Sequence, residues 1–234
     1  SGNVPYVSYI DYGHSYNMYV MKYDGIAWDS LGTLSSLGNG QPTIALDNSN
    51  VPHLAFMGNG LGNVIYYNGA SWQNLGVPFA INGSMFYHDL TFDPSNNAYL
   101  AYSNFGSVQT ADLAKYDGTS WSVLGQMSVP INQSITYQWA RFVGLTINNS
   151  TQEPFMLYSQ NNAQPLLGMR DYGVLKWNGA DFENTNGTSI TGSVSYGIGG
   201  YSAKFNFDPF GVPYVVYTDS TYGHRVSVKK FIGT

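Results

Sequence analysis

The sequence predicts an all-β fold, a five-bladed β-propeller with incomplete first and last blades. One strand–turn–strand unit recurs five times in 234 residues, and the apolar residues alternate or run continuously without a helical period of 3.6. Four antiparallel strands followed by a crossover, repeated along a chain, make the blades of a propeller. We expect one domain over residues 1–234, with repeat units at about 1–38, 39–80, 81–129, 130–190 and 191–234.

The second unit shows the pattern most completely. Residues 43–47, 51–56, 64–67 and 71–76 are predicted as strands A, B, C and D. The C–D turn is Asn68-Gly69, and both residues tolerate the positive φ of a tight hairpin. Short A–B and C–D turns make those strands hairpin neighbours, whereas the longer D-to-A connection suits a step to the next sheet. Strand A is therefore expected to line the axis.

The same elements return in the other units. Strand B copies begin at Val4, Val51, Asn97, Glu153 and Val212. C–D turns occur at Tyr23-Asp24-Gly25, Tyr67-Asn68-Gly69, Tyr116-Asp117-Gly118 and Trp177-Asn178-Gly179, with a degenerate fifth copy at Phe231-Ile232-Gly233. Strand D carries an aromatic residue at Trp28, Trp72, Trp121 and Phe182. The Gly- and Ser-rich stretch 185–201 is predicted as a loop containing at most one irregular strand.

These motifs resemble a known group of repeats. The series Ala45-Leu46-Asp47, Pro52-His53-Leu54, Tyr67-Asn68-Gly69 and Trp72 is similar to repeats of secreted bacterial and archaeal propellers of the sialidase and kelch-like superfamily. The resemblance covers nearly the whole chain and implies the propeller fold, while the superfamily is functionally broad. The segment 117–121 is close to the sialidase Asp-box turn but has a different spacing, and no kelch Gly-Gly pair recurs.

The composition favours an extracellular or cell-surface location. Only 10% of the residues are charged, and 20 are Tyr, which suits strands joined by tight turns. The chain opens at Ser1 without Met, as expected of a processed product, although a trimmed sequence would look the same. Five glycosylation sequons begin at Asn82, Asn132, Asn148, Asn149 and Asn186, close to the number expected by chance, so they permit glycosylation without requiring it.

Charge and composition also exclude several classes. The net charge is −5, with nine basic residues and no basic cluster longer than Lys229-Lys230, so nucleic acid is not an expected partner. No apolar run approaches the length of a membrane span. The absence of Cys excludes disulfides and thiolate chemistry. No metal site and no cofactor are predicted.

No catalytic residue is predicted. A glycosidase would need paired carboxylates, but the chain has only two Glu, Glu153 beside an A–B turn and Glu183 on an outer strand. Several Asp recur at turn positions, where turn capping explains them. The capping group comprises Asp24, Asp47, Asp93, Asp117 and Asp208. No phosphate loop or nucleophile elbow occurs. The chain is therefore predicted not to be an enzyme.

Five residues are candidates for ligand binding. His14 and His224 share the local phrase Tyr-Gly-His in the first and last units, which would be neighbours in a closed ring, although inheritance of a repeated loop explains them more simply. Trp28, Trp72 and Trp121 could each stack on a sugar. A repeated aromatic at one structural position is more often a packing residue, so packing between blades is the favoured interpretation.

Three functional hypotheses remain, and the phase of the repeat at the two ends of the chain determines how we rank them. The chain begins at strand B and ends at strand C, so the first blade lacks strand A and the last lacks strand D. Such blades would expose unpaired strand edges, which other copies of the chain could cover by strand addition, giving a filament or surface layer. The first hypothesis is thus a self-assembling, structural or adhesive surface protein; a glycan-binding lectin is second and a glycoside hydrolase third.

Overall fold

The structure is a computed structural model, and it describes residues 4–34, 42–58, 61–76, 84–105, 109–127, 140–161, 170–190, 203–219 and 225–230. All regular structure in these ranges is β-strand, and no helix there could span a membrane. The strands are β1 Tyr6–Asp11, β2 Asn17–Tyr23, β3 Trp28–Leu34, β4 Thr43–Leu46, β5 Pro52–Gly58, β6 Leu61–Tyr67, β7 Trp72–Gly76, β8 Ser84–Phe92, β9 Ala98–Phe105, β10 Gln109–Tyr116, β11 Trp121–Met127, β12 Ala140–Ile147, β13 Pro154–Asn161, β14 Arg170–Trp177, β15 Phe182–Ile190, β16 Ala203–Phe207, β17 Pro213–Asp219 and β18 Arg225–Lys230.

The strands form five antiparallel sheets, each following the order of the sequence. Blade 1 is β1–β3, blade 2 is β4–β7, blade 3 is β8–β11, blade 4 is β12–β15 and blade 5 is β16–β18. The five-bladed propeller predicted from the repeats is therefore confirmed. Blades 1 and 5 have three strands each in the described residues, as the phase of the repeat predicted: blade 1 lacks the innermost strand and blade 5 the outermost.

The innermost strands meet one another around the axis. Strands β4, β8, β12 and β16 make successive contacts, as expected for strand A. Neighbouring inner strands are also joined by hydrogen bonds, since Thr43 Oγ1 donates to the carbonyl of His88 at 3.0 Å and the amide of Leu145 donates to Asp89 Oδ2 at 3.2 Å.

Apolar clusters fill the junctions between successive blades. Each blade has a leading face, which packs on the preceding blade, and a trailing face, which packs on the following one. The clusters contain Met18, Val20, Leu54, Phe56 and Ile65 at junction 1|2; Ala55, Val64, Leu90, Leu100 and Tyr102 at 2|3; Ala101, Leu113, Leu145, Met156 and Leu175 at 3|4; and Phe155, Leu157, Val174, Phe205, Val215 and Tyr217 at 4|5.

At junctions 1|2 and 2|3 the strand-D tryptophan is hydrogen-bonded to the preceding blade. The indole Nε1 of Trp72 donates to the carbonyl of Leu31 at 3.0 Å, and Trp121 Nε1 donates to the carbonyl of Leu75 at 3.3 Å. At junction 3|4 the contact is close: a Cβ added at Gly125 would lie 3.1 Å from Cε2 of Phe182, the strand-D aromatic residue, and 2.6 Å from Cζ3 of Trp177 on β14. The sequence thus places small residues where the next blade's aromatic side chains pack.

Turn Asp residues play the capping role that the sequence predicted. In the A–B turns, Asp47 Oδ1 accepts the amide of Val51 at 2.8 Å, and Asp93 and Asp208 accept equivalent amides. In the C–D turns, Asp24 and Asp117 each accept two backbone amides, which holds the pKa of both carboxyl groups below the usual value.

The structure agrees with the irregular strand that the sequence allowed within 185–201. Strand β15 continues to Ile190, so residues 185–190 belong to a strand, whereas 191–201 lie outside the described residues. Ser189 and Ile190 pair with Gly173 and Tyr172 after a register shift, which makes this strand irregular.

Candidate functional site

The candidate site is a groove of about 660 Å³ between blades 1 and 2. It opens where the A–B and C–D turns lie, because residues of both turns of blade 2 line it, including Asn50 and Gly69. Blade 1 contributes Tyr6, Lys22 and Asp29. This volume falls within the usual range of small-molecule sites, about 300–1,000 Å³.

Strand register places the three groups of blade 1 side by side. Lys22 on β2 is the cross-strand partner of Tyr6 on β1 and of Asp29 on β3. All three lie on the trailing face with Leu31, which packs in the junction with blade 2. An aromatic ring, an ammonium and a carboxylate are thereby aligned across one sheet.

Within the described part of the chain, Lys22 and Asp29 of blade 1 have no ion-pair partner. The structure records no ion pair between Lys22 and Asp29 within 4.0 Å, and the Asp29 carboxylate accepts no hydrogen bond there. The only recorded effect of Lys22 is a weak electrostatic one, which helps to lower the pKa of Asp24. Both groups are therefore available to a ligand.

The equivalent lysines of other blades are already engaged. Lys176 Nζ lies 3.0 Å from Glu153 Oε1 and 3.8 Å from Glu183 Oε2. Lys115 lies over the ring of Tyr99 at 5.2 Å. In blade 5, Lys230 lies over Tyr214 at 5.6 Å. The same repeat position thus serves the structure in blades 3, 4 and 5 but faces a groove in blade 1.

The blade 2 wall is held rigidly. Asp47 is occupied by its own turn and by Asn96 Nδ2 at 3.3 Å. His53 stacks on Tyr66 with ring centroids 5.7 Å apart and lies 4.7 Å from the ring of Phe92 of blade 3, so these two rings pack on the trailing face of blade 2. Burial lowers the pKa of His53. Of the charged groups that line the groove, Lys22 and Asp29 are therefore the ones available to a ligand.

The residues predicted from sequence lie in different places. Trp72 and Trp121 pack between blades, whereas Trp28 is 47% exposed on the leading face of blade 1. His14 is exposed in the β1–β2 turn, with Nδ1 2.7 Å from Asp11 Oδ2. His224 lies outside the described residues, so the predicted approach of the two histidines stays a prediction. None of the four described side chains, His14, Trp28, Trp72 and Trp121, lines the groove.

The structure separates two adjacent sequons. Asn148 is buried, and its Oδ1 accepts the amides of Ser150 and Thr151, whereas Asn149 is exposed. A glycan at Asn148 would disrupt the turn. Asn82 and Asn132 lie outside the described residues, and of Asn186 only its place in β15 is described. Glycosylation itself stays a prediction.

Sequence reasoning missed Lys22 and Asp29. A signal was present, since lysine recurs before the C–D turn at Lys22, Lys115 and Lys176. The sequence did not reveal which copies are neutralised, because Glu153 approaches Lys176 from a different strand.

Comparison with known proteins supports the fold alone. No family model and no curated protein matches the chain. Solved structures that share the fold include the SapL1 lectin in complex with α-methyl fucoside, with 10% identity, a TM-score of 0.63, and coverage of 97% of this chain and 72% of the lectin. An ulvan lyase of polysaccharide lyase family PL25 has 14% identity, a TM-score of 0.61, and coverage of 100% and 68%. An arabinanase of Bacillus subtilis has 15% identity, a TM-score of 0.52, and coverage of 98% and 91%.

These similarities agree with the propeller but do not separate binding from catalysis. The neighbours comprise a lectin and two carbohydrate-active enzymes, all at low identity. The more specific resemblance to the sialidase and kelch-like superfamily stays a prediction. So do the absence of enzymatic activity and the extracellular location.

Proposed function

We propose that this propeller binds a carbohydrate in the groove between blades 1 and 2. The observation that carries the proposal is the aligned set of Tyr6, Lys22 and Asp29, whose two charged groups have no ionic partner among the described residues. An ammonium donates hydrogen bonds and a carboxylate accepts them, which matches the vicinal hydroxyls of a sugar. The ring of Tyr6 offers an apolar surface for the sugar's C–H face.

The groove is proposed to bind a carbohydrate and not to hydrolyse it. Acid–base hydrolysis of a glycoside uses two carboxyl groups on either side of the bond. Of the two carboxylates that line the groove, Asp47 is held by turn amides and by Asn96, which leaves Asp29 alone. That carbohydrate ligands and substrates occur among propellers of similar fold supports the choice of ligand class.

A glycan array followed by calorimetry with the best-binding methyl glycoside tests the proposal. We expect Lys22→Met and Asp29→Asn each to weaken binding at least tenfold, because each removes a charge-assisted hydrogen bond. Lys115→Met is the matched control, since the same repeat position in blade 3 stacks on Tyr99 outside the groove. The proposal is wrong if no glycan binds, or if binding survives both groove substitutions.

Self-assembly is a second candidate function, predicted from the incomplete end blades. Apolar side chains exposed on the outer faces of blades 1 and 5 favour it, including Tyr9 and Val228. Electron microscopy of the purified protein at high concentration tests it: ordered polymers are expected, and a field of single particles at every concentration would contradict it. A surface or extracellular role remains part of this candidate.

A further inference from the structure

The leading face of blade 1 is exposed at positions that are buried in every other blade. Val7 is 39% exposed, whereas its strand-B equivalents are 0–4% exposed. Those equivalents are Leu54, Leu100, Met156 and Val215. Tyr9 is 41% exposed, and it stacks on Tyr19 of the same blade, with ring centroids 5.5 Å apart. Blade 1 therefore has the packing surface of a propeller blade, and among the described residues no neighbouring blade covers it.

The trailing face of blade 5 shows the same deficit. Val228 on β18 is 60% exposed, whereas the equivalent strand-C positions are 0–5% exposed. Those equivalents are Val20, Val64, Leu113 and Val174. Val216, the cross-strand partner of Val228, and Val226 are exposed beside it. Contiguous exposed apolar surface of this kind marks an interaction site.

The two exposed faces are of the two kinds that pack together elsewhere in the molecule. Each of the four junctions packs a trailing face onto a leading face. Blade 1 offers an unused leading face and blade 5 an unused trailing face. Because both are exposed in this structure, they do not cover each other within one chain.

The charges of the end blades agree with this pairing. The first unit, residues 1–38, contains three Asp and one Lys, whereas the last unit, residues 191–234, contains two Asp and four Lys or Arg. The two units thus have formal net charges of −2 and +2, and Lys22 and Asp29, which face blade 2, cancel each other and do not change the sign. Opposite charge favours blade 1 against blade 5 and disfavours either blade against its own copy.

We infer that the trailing face of blade 5 binds the leading face of blade 1 of a second copy of this chain, head to tail. The contact repeats the geometry of the internal junctions, with Val216 and Val228 against Val7 and Tyr9. A head-to-tail contact of this type leaves one free face at each end, so it continues into a filament unless the rotation closes a ring. The inference rests on the self-assembly candidate and is independent of glycan binding.

Complementation between two face variants tests the inference. The variant Val7→Ser/Tyr9→Ser lacks the leading face, and Val216→Ser/Val228→Ser lacks the trailing face; all four side chains are exposed, so folding is preserved. In light scattering and sedimentation over a concentration series, the wild-type chain should form growing oligomers. Each variant alone should remain a monomer, and an equimolar mixture should form dimers, because each variant retains the face that the other lacks.

Other results would separate a failure of self-assembly as a whole from a failure of this interface alone. Ile26→Ser, an exposed change in a C–D turn, is the control and should associate like wild type. A wild-type chain that stays monomeric overturns both self-assembly and this interface. A wild-type chain that associates while the mixture does not overturns the interface alone, and so does association that persists in either variant.

Oxidation of a Tyr9→Cys/Val228→Cys chain distinguishes one further arrangement, since the chain has no other cysteine. A ladder of disulfide-linked multimers is expected. A disulfide within one monomer would mean that blades 1 and 5 close on each other, and it would overturn the inference.

Discussion

The internal junctions and the two end faces, which are the leading face of blade 1 and the trailing face of blade 5, are built from the same repeat. Only the junctions are buried. Val20 and Val228 occupy the same strand-C position in blades 1 and 5, and they differ from fully buried to mostly exposed. The difference shows that the repeat specifies the chemistry of a face, whereas the neighbour determines whether that face contributes to stability. In repeat architectures, stability is approximately a sum over units and nearest-neighbour contacts. Among the described residues, each end blade therefore has one such contact fewer than the inner blades.

The largest expected effect separates Trp72 from Trp28. Trp72 packs in junction 1|2 and donates its indole N–H to Leu31, so Trp72→Ala should lower the unfolding free energy by about 3–5 kcal/mol. Trp28 has the same repeat position but is half exposed and contacts Tyr23 of its own blade. We expect Trp28→Ala to cost about 1 kcal/mol or less. Urea unfolding of both variants measures the difference.

Equal costs for the two Trp substitutions would contradict the comparison, since they would mean that Trp28 is covered as Trp72 is. Fluorescence adds a second reading. A saturable quench by a simple sugar that is lost in Trp28→Ala would move the ligand site from the groove to the end face.

Much of this comparison could be predicted from the sequence. The phase of the repeats located the missing strands of blades 1 and 5, because strand B and the C–D turn carry unmistakable residues such as Pro52 and Asn68-Gly69. Asp at turn positions predicted the capping of Asp47 and Asp208, because that interaction is local. Local rules suffice for such features.

The candidate site was less accessible to sequence reasoning. A groove between blades depends on which side chains of two sheets leave space, and that information is not local. Lys22 differs from Lys176 only through Glu153 and Glu183, whose approach is a property of the fold. The exposure of Trp28 depends likewise on whether another blade packs against it, so counting aromatic repeats could not distinguish it from Trp72.

Acid should weaken an internal junction through His88. His88 Nε2 donates to the carbonyl of Ala55 at 3.0 Å across junction 2|3, and burial lowers its pKa to about 4. Its buried Nδ1 has no hydrogen-bond partner among the described residues, so a second proton there is unfavourable. Because the folded pKa lies below the ordinary value of 6.5, the unfolded chain binds the proton first. Stability is therefore lost as the pH falls from about 6.5 to 4, by about 3 kcal/mol.

The His88→Gln variant isolates this effect, since an amide can still donate to Ala55 but does not titrate. Asp89 acts in the opposite direction, because burial raises its pKa and acid then favours the folded state through that group. The measured quantity is thus the difference in pH dependence between wild type and His88→Gln, by urea unfolding at pH 7 and pH 4. An identical loss in wild type and His88→Gln would exclude His88 as the cause.

The smallest effect gives the most direct test of the comparison between junctions and end faces. Val20→Thr places a hydroxyl in the sealed junction 1|2, where the side chain is fully buried, and an unpaired buried hydroxyl costs about 1–3 kcal/mol. Val228→Thr makes the same change at the same repeat position in blade 5, where water can hydrogen-bond the hydroxyl, so its cost should stay within about 0.5 kcal/mol. Thermal unfolding at low protein concentration should show this difference. At concentrations where copies associate, a second chain covers Val228, and the two substitutions should then become similar in cost. A Val228→Thr penalty that is independent of protein concentration would mean that nothing binds this face.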